Sequence, residues 1–344
     1  MKPETSFSQL YCGMDLHSNN VYCALIDETE ALRSKKRLLL DIMQILDYLE
    51  PYRDKLEDIA VESTYNWYWL VDGLQESGLS VRLANPAVMT KYSGIKHTDD
   101  KSDALWLAEM LRLGILPEGY IYPKRIRPVR DMLRRRLLLV RQRAQTLMSL
   151  QSMITRNKAK TISCSTLKRW TLKDVNGCFE DPYLRQTACS LLEVARRQDR
   201  VISELGAQAE NMVKLCGSYR QLLTEPGVGS VLGMTIMLET GPIERFESAG
   251  NYASYCRGVG SSRTSNEKKK GQNNRKNGNK YLAWAFVEAA NYAKRYYPQV
   301  CSWFNRKKAR TNRIVATKAL GCKLSKAAYY ILRDNVEFDM EKMF

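Results

Sequence analysis

A change of period at about Pro123 limits most what this chain can fold into. Before it, apolar residues come in short runs bounded by polar turns and helix stops. After it, "RPVRDMLRRRLLLVRQRAQTLMSLQSMITRN" is one long basic helix, with apolar residues at helical spacing throughout. The first pattern needs strands that find partners far along the chain. The second needs helix packed on helix.

The first part begins with two strands, "LYCGMDL" and "VYCALID", turned by His17-Ser18-Asn19-Asn20. "ALRSKKRLLL" reads as a third strand with charged outward faces. "DIMQILDYLEPYRDKL" places Ile42, Ile45, Leu46 and Leu49 at helical spacing, and Pro51 stops it. "DIAVES" is a short buried strand, "YNWYWLVDGLQESG" a helix ended by Gly78, and "LSVRLANP" a strand closed by Asn85-Pro86. A hairpin followed by alternating strands and helices predicts a mixed α/β sheet over residues 1–122. The long basic helix and a second stretch, "LRQTACSLLEVARRQDRVISELGAQAENMVKLC", predict a helical hairpin or coiled-coil arm over 123–218. A simple helical linker is the plainer alternative. A third segment, 219–344, ends in short helices rich in Lys and Arg.

Charge follows the same division. Residues 1–120 hold 12 Lys and Arg against 19 Asp and Glu, and the remainder holds 42 against 18. The net charge of +17 is therefore −7 followed by +24. Such a basic excess is beyond the needs of solubility and predicts a polyanion partner, nucleic acid first. No apolar run approaches the roughly 20 residues of a membrane span. The start "MKPETSFSQL" has no apolar signal core. Nine cysteines without a C-x-x-C pair read as reduced thiols. The expectation is a cytoplasmic protein with no membrane partner. With only His17 and His97, a His-rich zinc site is disfavoured.

Against the basic total, "KHTDDKSDALWLAEML" (96–111) crowds Asp99, Asp100 and Asp103 at the start of an apolar helix. Asp100 and Asp103 share a face, and Asp103 shares a stripe with Leu107, Met110 and Leu111. Helix capping by Asp99 or Asp100 is the plain explanation. Asp15, inside the first strand, and Glu62, ending "IAVE", add two acids in apolar surroundings. Outward-facing strand positions are their plain explanation. Together the four predict a carboxylate cluster where strands 1 and 4 and the helix converge at one sheet edge. Such a cluster holds hard divalent cations, and two Mg²⁺ ions roughly 4 Å apart clamp a phosphodiester.

"GMDLHSNNVYCAL", "AVESTYNWYWLVDGL" and "DDKSDALWLAEML" resemble the D, E and D-x-x-D blocks of the DEDD transposases of bacterial insertion sequences. The resemblance implies a Holliday-junction-resolvase-like, RNase H-like sheet domain. It makes Asp15, Glu62, Asp100 and Asp103 the ligands of Mg²⁺. The family's helix block reads K-T-D-x-x-D-A; here "KHTDDKSDA" has one acid more, and the spacing to Asp103-Ala104 selects Asp100 over Asp99.

In the third segment, "EPGVGSVLGMTIMLETG" places Gly227 and Gly229 before a helix, in a turn like that of a helix-hairpin-helix. It can offer backbone N–H groups to phosphate, or be only a tight corner. "YCRGVGSSRTSNEKKKGQNNRKNGNKYLAWAFVEAA" then sets six Lys and Arg between Lys268 and Lys280. With Arg263, the residues Lys268, Lys269, Lys270, Arg275, Lys276 and Lys280 read as a flexible basic loop that orders on a phosphate backbone. The next helix needs Gly278 at its start. The block is similar to the part of the family that bears a serine nucleophile, which falls on Ser265. The family's S-G-G is here "TSNEKK", and Ser261 and Ser262 are weaker candidates. No histidine lies nearby as base, so help must come from the metal site and Lys or Arg. That requires the two distant domains to meet. Near the end, Arg306, Lys307, Lys308, Arg310 and Arg313 are expected to face nucleic acid. Ile314, Val315 and Leu320 are expected in the core, with Trp303, Tyr329 and Tyr330.

The family implies cleavage and rejoining of donor and target DNA through a transient serine–DNA link. It also implies guidance by a non-coding RNA from the element itself and a dimer or tetramer on DNA. Two other functions fit the residues: a junction endonuclease that uses water, and a basic nucleic-acid-binding protein without activity.

Overall fold

The computed structural model describes residues 8–89, 100–260, 262–265, 268–272 and 277–344, with 100–102, 262–265 and 268–272 by their backbone. They form two compact units, Met1–Lys124 and Arg125–Phe344.

The first unit holds one six-stranded mixed sheet: β1 (Leu10–Leu16), β2 (Asn20–Asp27), β3 (Leu32–Leu39), β4 (Leu56–Glu62), β5 (Val81–Ala84) and β6 (Glu118–Gly119). Their order is β3-β2-β1-β4-β5-β6. β2 is antiparallel to both neighbours, β1, β4 and β5 are parallel, and β6 closes antiparallel. The helices are α1 (Ile42–Leu49), α2 (Tyr68–Glu76), the short α3 (Pro86–Met89) and α4 (Asp100–Arg112).

β1 and β4 are central and covered on both faces, which is why they read as nearly unbroken apolar runs. Cys12, Met14 and Leu16 join Ile59, Val61 and Leu83 beneath Ile45 and Leu49 of α1 and Leu70 and Leu74 of α2. The opposite face is lined by small residues. Ala60 and Ala84 meet Leu107 of α4, and Gly13 lies against the α4 backbone. A Cβ at Gly13 would collide with the Ala104 carbonyl oxygen and stand 2.6 Å from the Ala108 nitrogen. Arg112, ending α4, bonds the Glu28 carbonyl and pairs with Glu30 just past β2. The end of β2 lies beside the start of β1, since Asp27 pairs with Leu10. α4 therefore runs antiparallel to β1, its first turn over the C-terminal ends of the central strands. This is an RNase H-like sheet.

The acids were expected at a sheet edge, but β1 and β4 are the central pair. Both strands are parallel and buried on two faces, so only their ends can present a polar group.

The second unit is mainly helical. α5 (Arg127–Lys158) and α8 (Pro182–Val213) lie antiparallel: Gly206 sits against Arg136, and Asp199 pairs with Arg143. Asp181 caps α8 by accepting from the Leu184 N–H at 2.9 Å. At one end of the pair, α6 (Cys164–Leu167) and α7 (Leu172–Asn176) enclose Leu150, Ile154 and Leu192. At the other, Val129, Leu133, Ala209 and Val213 pack on Tyr219 and Met234. The remaining helices are α9 (Gly217–Leu222), α10 (Ser230–Thr240), α11 (Ala249–Tyr255), α12 (Lys280–Tyr296), α13 (Pro298–Arg310), α14 (Arg313–Asp334) and α15 (Met340–Met343). They enclose a core that includes Tyr252, Phe286, Leu320 and Leu324.

Three readings of this segment need correction. The closing helices are not short: α12, α13 and α14 have 17, 13 and 22 residues. Small residues such as Ala285, Ala289 and Ala293 bury one face of α12 along its length. The basic stretch is not only loop, because β7 (Ser262–Ser265) and β8 (Lys268–Gln272) pair as an antiparallel ribbon. Ile314 is 81% exposed and Val315 is also exposed, although Leu320 is buried. Asn312 caps α14, and its buried stripe starts at Ala316, which leaves the first turn outside. Trp303 and Tyr329 are in or against the core, whereas Tyr330 is exposed. Among the described residues no helix is long and apolar enough to cross a membrane.

One buried charge ties this unit together. Glu239, on α10 and 2% exposed, accepts from Arg130 Nε at 3.0 Å and from Arg134 at 2.6 and 2.8 Å. Asn279 Nδ2 is a further donor at 2.7 Å. Burial pushes the carboxyl up, but the guanidinium groups and Asn279 outweigh it and hold it below the usual range. Glu239→Ala leaves these donors without their acceptor and is expected to lose about 3–5 kcal/mol, read by chemical denaturation. A loss under about 1 kcal/mol would assign the node no structural weight.

Candidate active site

The register of the central strands brings the first acids together. Gly13 pairs with Ala60 and Met14 with Val61, so Asp15 and Glu62 come next on neighbouring strands, with backbones about 4.8 Å apart across the sheet. Alternation turns both toward the face that Gly13 and Ala60 give to α4. Asp103 lies in the first turn of α4, beside the Ala104 that meets Gly13. Asp15 is 4% exposed, while Glu62 and Asp103 are half-buried. Asp100 begins α4, one turn before Asp103; its carboxylate and all of Asp99 and His97 lie outside the described residues.

Two neighbours went unforeseen. His17 Nε2 stands 2.9 Å from Asp15 Oδ2. The D-x-H spacing at the end of a strand, which puts both side chains on one face, was the available signal. Asn66 Nδ2 donates to the His17 carbonyl at 3.0 Å and takes a bond from Thr64 Oγ1 on its own Oδ1. The loop after Glu62 is thereby tied to the turn after Asp15. Nothing in the sequence announces that pair, because the two segments are 49 residues apart.

Among the described residues, no three His, Cys, Asp or Glu side chains are grouped to hold a metal as they stand. The donor set that the backbone gathers is all carboxylate oxygen, and Asp15 is withdrawn from solvent at its centre. That chemistry fits a hard divalent cation, which offsets like charges in a poorly solvated place.

The serine segment is placed by its feet. Arg257, at φ 56, donates from Nε to the Asn277 carbonyl at 3.0 Å and from Nη2 to the Gly278 carbonyl at 2.9 Å. Gly278, at φ 81, passes so near Tyr255 that a Cβ would strike its carbonyl oxygen. Asn279 donates to that oxygen at 2.6 Å and caps α12 by accepting from Tyr281 and Leu282. Between the feet, Ser265 pairs with Lys268, Thr264 with Lys269, and Arg263 with Gly271. Lys270 lies in β8, and Ser262 opens β7 opposite Gln272. Ser261, Arg275 and Lys276 lie outside the described residues. Lys280 is exposed, its Nζ 5.1 Å from the Tyr281 ring centre.

Gly227 and Gly229 differ in what they do. Gly227, at φ 82, rests on α12, where a Cβ would collide with the Ala289 carbonyl oxygen and stand 2.7 Å from the Ala293 nitrogen. Gly229 precedes α10 with open space around it. Glu225, just before the turn, is 1% exposed, and neither carboxyl oxygen has a hydrogen-bond partner. Burial pushes its carboxyl well above the usual range, so it holds its proton more tightly than a solvated carboxyl. A raised folded pKa contributes stability below the unfolded value of 4.5 and loses it as pH rises through the folded value. Relative to Glu225→Gln, the wild type should lose up to about 1.4 kcal/mol per pH unit as pH rises from 4.5 toward the raised folded value, and no more beyond it. Parallel stability–pH curves for the two proteins would mean the carboxyl is solvated.

Comparison with known families gives two matches. Residues 12–157 match a DEDD transposase of IS110 type, and residues 219–303 match the "Transposase IS116/IS110/IS902 family". No curated protein gives a significant match. Together the matches span about two thirds of the chain, the first taking in the acids of β1, β4 and α4 and the second the glycine turn and the ribbon. The chain belongs to the IS110 family of DEDD transposases.

Proposed function

We propose that this transposase is a site-specific recombinase that moves an insertion sequence by a serine-linked exchange of DNA strands. Family membership already makes it an enzyme that cleaves and rejoins DNA. The observation that carries the finer reading is the adjacent register of Asp15 and Glu62 beneath the first turn of α4. Asp15, Glu62, Asp100 and Asp103 are assigned to hold Mg²⁺, with two ions as the expected number. When bound, the cations neutralise charge at the phosphate and lower the barrier to displacement. His17 and Asn66 hold the Asp15 end of the strand in place.

Ser265 is the assigned nucleophile. Its hydroxyl forms an O–P bond as the strand's own O–P bond breaks, and the released strand hydroxyl takes up the proton that the serine gives up. Reversal with a different strand hydroxyl rejoins the DNA and restores the serine, with no net hydrolysis. Arg263, Lys268, Lys269, Lys270, Arg275, Lys276 and Lys280 are assigned to the phosphate backbone, with the Gly227–Gly229 turn. Guidance by an RNA from the element, and a dimer or tetramer joined through the long helices, complete the proposal, which places the protein at DNA in the bacterial cytoplasm.

Asp15→Asn or Glu62→Gln should lower strand cleavage by more than the ~10–100-fold cost of losing an outer-shell partner, with DNA binding largely kept. Equal loss of binding would make these acids structural. Denaturing electrophoresis of cleavage reactions should show a protein–DNA adduct that Ser265→Ala removes. Cleavage that persists in Ser265→Ala without any adduct would favour a water-using junction endonuclease. Protein purified with its native flanking DNA should retain one discrete RNA through a high-salt wash. Only mixed RNA that salt removes would count against guidance.

A further inference from the structure

We propose that the exposed C-terminal end of α12, beside the Gly227–Gly229 turn, is a stacking site for unpaired DNA bases. Tyr292 and Tyr296 lie one helical turn apart with their rings stacked, 6.4 Å between centroids and 12° between planes. They remain 50% and 62% exposed. The two rings stand side by side in water at the C-terminal end of α12, where they continue the helix stripe of Ala285 and Ala289 beyond the buried core and form an apolar surface that no described aliphatic or aromatic side chain covers. The Arg295 guanidinium lies 5.4 Å from the Tyr296 ring centre and sets a cation beside the aromatic surface.

The position of the pair says what covers it. Gly227 rests between Ala289 and Ala293, the residues that flank Tyr292 within one turn of α12. The backbone turn assigned to phosphate and the tyrosine pair are therefore neighbours. Both lie in the part of the chain whose net charge is +24. Phosphate donors beside an exposed ring stack match a strand whose bases are free, since paired bases offer their edges and keep their faces stacked on one another. DNA is the source chosen, because the family acts on DNA. The inference rests on the DNA reading of the protein and on the assignment of the Gly227–Gly229 turn to phosphate, and not on the acids or on Ser265.

The test uses the full-length protein in buffer without divalent metal, where no strand is cut. Fluorescence anisotropy compares a labelled oligo(dT) of about 12 nucleotides with an abasic strand of equal length and charge. Wild type should bind oligo(dT) about 5- to 100-fold more tightly than the abasic strand. The double variant Tyr292→Leu, Tyr296→Leu should lose that preference and keep the abasic affinity and its salt dependence, which also shows that it is folded. The double variant Tyr292→Phe, Tyr296→Phe should retain the preference. Equal affinity of wild type for the two strands, or a preference that survives in the leucine variant, overturns the site. Tighter binding of oligo(U) than of oligo(dT) overturns its assignment to DNA. No binding of either strand at low salt overturns the DNA reading together with the site.

Discussion

The chemistry of the first unit depends on how closely α4 can approach β1. A helix laid on a sheet over ordinary side chains stands about 10 Å away, too far for its first turn to share a site with strand residues. Gly13 removes the obstacle, and Ala60 and Ala84 extend the shallow strip across β4 and β5. Once the helix is seated, its antiparallel direction brings Asp103 to the strand ends that carry Asp15 and Glu62. The same strip steadies the site, since all three acids stand on strands and a helix anchored in the core through Met14, Val61 and Leu107.

Four buried or half-buried acids show how differently the protein can treat a carboxylate. Asp27, at the end of β2, spends its oxygens on Thr29, Ala31 and Arg33, which outweigh burial and hold it ionised. Glu239 is ionised against two arginines. Glu225 has no such partners, and burial pushes its carboxyl well above the usual range. Asp15 has a histidine on one side, and the backbone gathers further carboxylates near it. Concentrating like charge where water is scarce is costly by itself and becomes favourable with a cation. That contrast separates the acids of structure from those assigned to chemistry.

Much of the architecture was legible in the sequence because it is written in local period. The strands of "LYCGMDL" and "VYCALID", the helix after Asp99 and the two long helices all appear where alternation or helical spacing puts them. Gly278 stands at the start of α12 because the chain needs a positive φ there. What could not be read depends on partners far away in sequence. The place of β1 and β4 at the centre of the sheet is set by pairing order, not by composition. The ribbon of Ser262–Ser265 and Lys268–Gln272 lacks apolar alternation, so it looked like loop. Ile314 and Val315 have the chemistry of core residues, yet the cap at Asn312 turns them outward. Of the site, Asp15, Glu62, Asp100 and Asp103 stood out as acids in apolar company. His17, Asn66 and Arg257 act through contacts that only folding creates.

The Glu239 node gives the long helical pair a mechanical property. Arg130 and Arg134 stand close to the start of α5, which continues for more than twenty residues beyond them. Through Asn279 the same carboxylate holds the foot of the ribbon. One carboxylate thus joins the start of the long helix to the segment that holds Ser265. Any displacement of α5 at that point therefore meets the hydrogen bond that seats Asn279 at the ribbon's foot.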